Sequence, residues 1–167
     1  MKMHRALFTV LLSPLFAILA APATAQLGAE SLNPAPEPAQ TSLVPVVGVV
    51  TGSPESVSFA GNAVVSSRLA PDPDFNRPRV VLTIDLTGVP GVGSVTGAKY
   101  VISGPEVTHR GVAASHTVEF TFPFKSSVST SAVTARTGVA SFVLDFDVNT
   151  GAVIAASANV ASPNFPR

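Results

Sequence analysis

Three aspartates and two histidines are the side chains of this sequence best suited to chemistry. Asp85, Asp145 and Asp147 fall on the polar faces of two alternating segments. Asp145 and Asp147 are two residues apart, so in a strand they point the same way, about 6–7 Å apart. If segment 80–87 pairs beside them, three carboxylates meet on one surface. Such hard oxygens suit calcium, and paired carboxylates suit acid–base hydrolysis. The simpler reading is a solvated sheet face, with Asp147-Val148-Asn149-Thr150-Gly151 as ordinary turn entry. No D-x-D-x-D-G calcium spacing occurs, and Pro71-Asp72-Pro73-Asp74 reads as a turn.

His109 and His116 are the remaining candidates. A glycine-containing turn between them would bring them together, and a metal site without cysteine would need both plus carboxylates. His116 is in register with Val118 and Phe120, which makes it a rim histidine at the start of an inner face. Serines are abundant, but neither the G-x-S-x-G elbow nor S-x-x-K occurs. Gly91-Val92-Gly93 resembles the start of a dinucleotide loop. It lacks the third glycine, and a strand follows where that motif needs a helix. These five residues are candidates only: the sequence assigns no catalytic residue, cofactor or metal.

Composition excludes further classes. Cysteine is absent, which removes disulfides, thiol chemistry, thiolate metal sites and iron–sulfur clusters. The chain has ten basic and ten acidic residues, and setting aside Lys2 and Arg5 leaves eight against ten. Such a balance offers no basic patch for nucleic acid. There is no Trp, and Tyr100 is the one Tyr, so the rings favoured at sugar-binding and membrane-interface surfaces are nearly missing.

The elements that would position these groups begin after an export signal. Lys2, His4 and Arg5 precede an apolar run from Ala6 to Ala21, and Ala23-Thr24-Ala25 is a small-x-small cleavage site. Residues 1–25 therefore read as a secretory signal peptide, too short an apolar run for a membrane span. With no twin arginine and no cysteine at the cleavage point, the general secretory pathway is the expected route. The product would be periplasmic or extracellular, from a bacterial source, with no stable membrane insertion. Residues 26–42, with Pro34, Pro36 and Pro38, read as an extended Pro/Ala-rich linker. Residues 43–162 form the expected domain and 163–167 a tail.

No window of the domain has helical apolar spacing, whereas period two recurs. Val80, Leu82, Ile84 and Leu86 share one face. Val118, Phe120, Phe122 and Phe124 share another, and Ala140, Phe142, Leu144, Phe146 and Val148 a third. Weaker strands are expected at 46–50, 57–66, 99–103 and 152–160, with a short one near Val107. Loops are expected at 67–79 and at 88–98, and a hairpin across 138–160. The expected fold is all-β: a single antiparallel, Greek-key, immunoglobulin-like β-sandwich of about seven to eight strands. A small closed β-barrel is the alternative. Five Phe (120, 122, 124, 142 and 146) should fill its core.

The fold alone licenses no function. The leading expectation is an exported, non-enzymatic structural, adhesive or protein-binding module, whose partner is a protein or cell-surface component. One alternative is a small-ligand carrier with an apolar, Phe-lined interior. Another is a calcium-dependent or hydrolytic domain that uses the Asp85, Asp145, Asp147 face.

Overall fold

Alternation of β-branched and aromatic residues with polar ones turns most of this chain into strands. A computed structural model describes residues 38–72, 74, 77–128 and 135–164, and none of these is helical. The expected signal peptide, the linker up to residue 37, Pro73 and the last three residues of the tail lie outside the described residues. Nine strands run in order: β1 (Gln40–Val50), β2 (Val57–Pro71), β3 (Pro78–Asp85), β4 (Gly91–Gly93), β5 (Lys99–Ile102), β6 (Pro105–Gly111), β7 (Ser115–Ser126), β8 (Arg136–Phe146) and β9 (Val153–Ala161).

All nine join one mixed sheet. From β1 the pairings pass through β9, β8, β7, β5, β4 and β2, and return to β1; β3 and then β6 branch from β2. This circuit is common to two packed layers and to a barrel. Every pairing is antiparallel except β1–β9, where Val46, Val47 and Gly48 run parallel to Ala158, Asn159 and Val160. A wholly antiparallel sheet was expected. β9 leaves its hairpin with β8 running in the same direction as β1, so their edges meet parallel. Gly48 makes the approach possible: a Cβ there would collide with the Val160 carbonyl.

The ends of several strands differ from the sequence reading. β1 starts at Gln40, and Gln40, Thr41 and Ser42 pair with Ser67, Ser66 and Val65. β2 and β3 pair as far as Pro71 and Pro78. The expected loop at 67–79 thus keeps only the residues between Pro71 and Pro78, where Asp72 N donates to Arg77 O at 2.9 Å. The loop expected at 88–98 contains β4. In β8 the register shifts between Asp145 and Phe146, and the strand stops there. Val148, expected on the apolar side, is therefore exposed.

The core lies where the inward faces meet. Phe59, Phe122, Phe124, Phe142, Phe146, Leu82, Ile84 and Leu144 are all buried. Phe59 meets Phe124 edge-on at 5.1 Å and Phe122 at 5.8 Å, the arrangement that the ring quadrupole favours. Phe120 differs from expectation: it is half-buried and stacks on Phe142 at 6.0 Å. Loss of a fully enclosed ring leaves a cavity, whereas a half-exposed site refills with water. Phe142→Ala should cost about 3–5 kcal/mol and Phe120→Ala clearly less. Urea midpoints at constant slope would measure both; equal losses would contradict this assignment of the core.

Candidate functional site

The three aspartates do not converge. Asp85 lies on β3, whose neighbours are β2 and β6, whereas Asp145 lies on β8, between β7 and β9. The β8 register shift leaves Asp147 beyond the strand end, in the turn that leads to β9. Two of the carboxylates serve local turns: Asp85 Oδ1 accepts from Thr87 N, and Asp147 Oδ1 accepts from Asn149 N, each at 2.8 Å. Among the described residues no group of three or more His, Asp or Glu side chains is placed to hold a metal. The histidines also stay apart in role. His109 is exposed on β6, opposite Val81. His116 donates from Nε2 to Gly111 O at 2.7 Å, since a carbonyl can only accept, and its ring meets Phe146 edge-on at 5.8 Å.

The most organised polar group is one the sequence reading passed over. Glu55 follows β1 in a Pro-containing connection and is only 6% exposed. Its Oε2 accepts from Val95 N at 2.8 Å and Thr96 N at 2.9 Å. Its Oε1 accepts from Thr96 Oγ1 at 2.6 Å and Tyr100 OH at 3.1 Å. The Thr96 hydroxyl, followed by the Thr96 and Val95 amides, lowers the Glu55 pKa to about 2 despite burial. Burial raises that of Tyr100, and the Glu55 hydrogen bond and charge add to the rise. Gly93 makes room, since any Cβ there would strike the carboxylate. Arg136 Nη1 donates to Glu55 O at 2.7 Å, and its guanidinium lies 5.1 Å over the Phe124 ring.

This arrangement clamps the β1–β2 connection onto the β4–β5 turn. A carboxylate that four donors hold ionised is poorly matched to acid–base work near neutrality. It instead gathers into one place what the sequence spreads over 40 residues. Only the Gly-Ser-Pro-Glu turn composition around residue 55 signals it locally.

A different feature offers itself to partners. β6 ends the sheet: β3 pairs it from Pro105 to Gly111, and its other edge has no strand partner among the described residues. β7 runs close by at both ends. Ser103 N donates to Pro123 O at 3.2 Å, and residues 112–114 alone connect β6 to β7. Yet along nearly all of β6 and β7 the Cα atoms stay more than 8 Å apart, too far for a ladder spaced at about 4.8 Å. At the Gly111 end of β6 lies an open depression of about 610 Å³ whose lining includes Asp72, Arg77, Arg79, His109 and Arg110. Arg79 Nη1 is a loose 3.9 Å from Asp72 Oδ2. The sheet collects these arginines by pairing Arg79 with Gly111 and Val80 with Arg110, which total charge could not reveal.

β1 also carries an outer apolar stripe, with Leu43, Val47 and Val49 exposed. Compared with known family models, curated proteins and solved structures, the chain matches none.

Because the folded pKa of Glu55 lies below its ordinary 4.5, the clamp's contribution is complete above pH 4.5. It is lost as pH falls from about 4.5 towards about 2. Glu55→Gln turns one acceptor into a donor facing donors, so it should melt lower than the parent at pH 7. That gap should shrink through the same acidic window. A pH-independent gap in melting temperature would refute the ionised clamp.

Proposed function

We propose that this chain is an exported, non-enzymatic protein-binding module that takes an extended polypeptide segment onto the open edge of β6. The observation that carries the reading is that edge: seven residues of regular ladder with one side unpaired among the described residues. Backbone donors and acceptors on such an edge give affinity, and alternate side-chain sites give specificity. Val107 and His109 stand exposed on one face of it, and Glu106, Thr108 and Arg110 are half-buried on the other.

Other features favour binding over the competing readings. Of the aspartates of the hydrolytic or calcium-dependent reading, Asp85 on β3 lies apart from Asp145 on β8 and Asp147 in the turn after it. Among the described residues the one strongly shifted carboxylate, Glu55, is saturated with donors. Mutual contact of Phe59, Phe122 and Phe124 fills space that a ligand carrier would leave open. Export rests on the charged, apolar and small-residue order of residues 1–25.

Neighbouring residues of an edge strand aim their N–H groups to opposite sides. Of Val107→Pro and Thr108→Pro, one therefore removes a bond to β3 and the other only an edge donor. Heptapeptides selected from a random library against this protein should shift the amide resonances of β6. They should lose about tenfold or more in affinity for the edge variant that stays folded. Peptides that map to other strands, or that bind this variant unchanged, would overturn the reading.

A further inference from the structure

An edge strand can pair with any extended chain, but the side chains of β6 narrow the choice. They read Pro105, Glu106, Val107, Thr108, His109, Arg110, Gly111. We infer that the segment β6 takes up is the β6 of a second copy of this chain, paired antiparallel about Thr108; this rests on the edge-binding reading above.

The argument is one of register. Two copies that keep their half-buried faces on the same side must pair residues of equal parity, so the two-fold axis passes between one residue and the same residue of the partner. Thr108 is the middle residue, and centring there overlaps all seven positions. That same register sets Glu106 opposite the partner's Arg110 and Arg110 opposite the partner's Glu106. Thr108 meets the partner's Thr108, and Val107 meets the partner's His109. Opposite charges and Thr–Thr are favourable cross-strand pairs. Centring on Val107 shortens the overlap, sets Glu106 opposite Thr108 and carries Arg110 past the partner's β6; centring on His109 sets Arg110 opposite Thr108 and carries Glu106 past it. Maximum overlap and charge complementarity thus select one register.

Three further observations agree. Glu106 and Arg110 are half-buried, where a charge pair is screened less than at an open surface. Among the described residues neither has an ion-pair partner; Arg110 Nη1 donates only to His109 O, at 3.3 Å. Of the usual guards against pairing, the edge has charges, but charges that complement themselves in this register. It has no lysine, its ladder with β3 runs without a bulge, and its one proline is the first residue.

Sedimentation equilibrium over micromolar to millimolar concentration tests the inference. The parent protein should show a monomer–dimer equilibrium. Glu106→Arg alone and Arg110→Glu alone each set like charges opposite one another twice per dimer, and each should weaken association by about tenfold or more. The double variant E106R/R110E restores opposite signs and should return the constant towards the parent value. Recovery in the double variant excludes simple loss of folding as the cause. A parent that stays monomeric throughout overturns the inference. So does a dimer whose constant the single reversals leave unchanged. Neither result touches the edge reading if selected heptapeptides still map to β6; peptides that map elsewhere defeat that reading instead.

Discussion

The structure depends on how the fifteen-residue strand β2 distributes its two edges. One edge pairs with β1 along eleven residues, from Val57 to Ser67. The other is divided: Val57, Ser58 and Phe59 pair with β4, and Val64 to Pro71 pair with β3. A divided edge forces the sheet to fork. The β4 branch passes through β5 to β7 and so back to β1, whereas the β3 branch runs out after β6. The open edge of β6 is thus a consequence of topology. Closing it would take a ladder between β6 and β7, and their separation forbids one.

Holding that fork in place falls to packing and to one buried charge, because no disulfide is available. The Phe59 side chain sits beside the division of β2 and is wedged between Phe122 and Phe124 of β7. This contact crosses the circuit and ties its two halves. The Glu55 carboxylate does the same for the short arm, since β4 and β5 pair with each other through only two residue pairs. A three-residue strand has little ladder energy of its own, and two-stranded ribbons are marginal in isolation. Four donors converging on Glu55 supply the local order that β4 lacks. An ionised carboxylate makes such hydrogen bonds stronger than a neutral acceptor would.

What could be read from the sequence follows the range of the interactions involved. The faces of β3, β7 and β8 were legible because burial on one side writes a period of two into adjacent residues. Leu82, Ile84, Phe122, Phe142 and Leu144 are accordingly buried as expected. β4 was not legible: Gly91-Val92-Gly93 has no strand composition, and it is a strand only because β2 and β5 flank it. Glu55 was invisible for a related reason, since its donors lie about 40 residues away. The aspartate cluster failed at the level of strand order. Alternation showed correctly that Asp85 and Asp145 avoid the core, but nothing local shows that β3 and β8 are not neighbours. The exposure of Val148 is an end effect, set by the β8 bulge; Phe120 is half-buried at mid-strand, where β7 pairs with β8 alone.

An exposed edge of this length raises the question of uncontrolled growth, because unpaired strands template aggregation. The symmetry of the pairing decides the outcome. A heterologous contact, in which β6 of one copy meets a different edge of the next, leaves an unused edge and propagates. An isologous β6 pair occupies the same edge on both copies at once and leaves no β6 edge to extend. A segment whose half-buried side chains read Glu, Thr, Arg from one end and complement themselves from the other favours the closed arrangement over a shifted or parallel one. In a parallel pair Glu106 would approach the partner's Glu106, and Arg110 the partner's Arg110. The guard against fibres would then lie in the order of three side chains on one face of β6, and not in the lysines or bulges that other edges use.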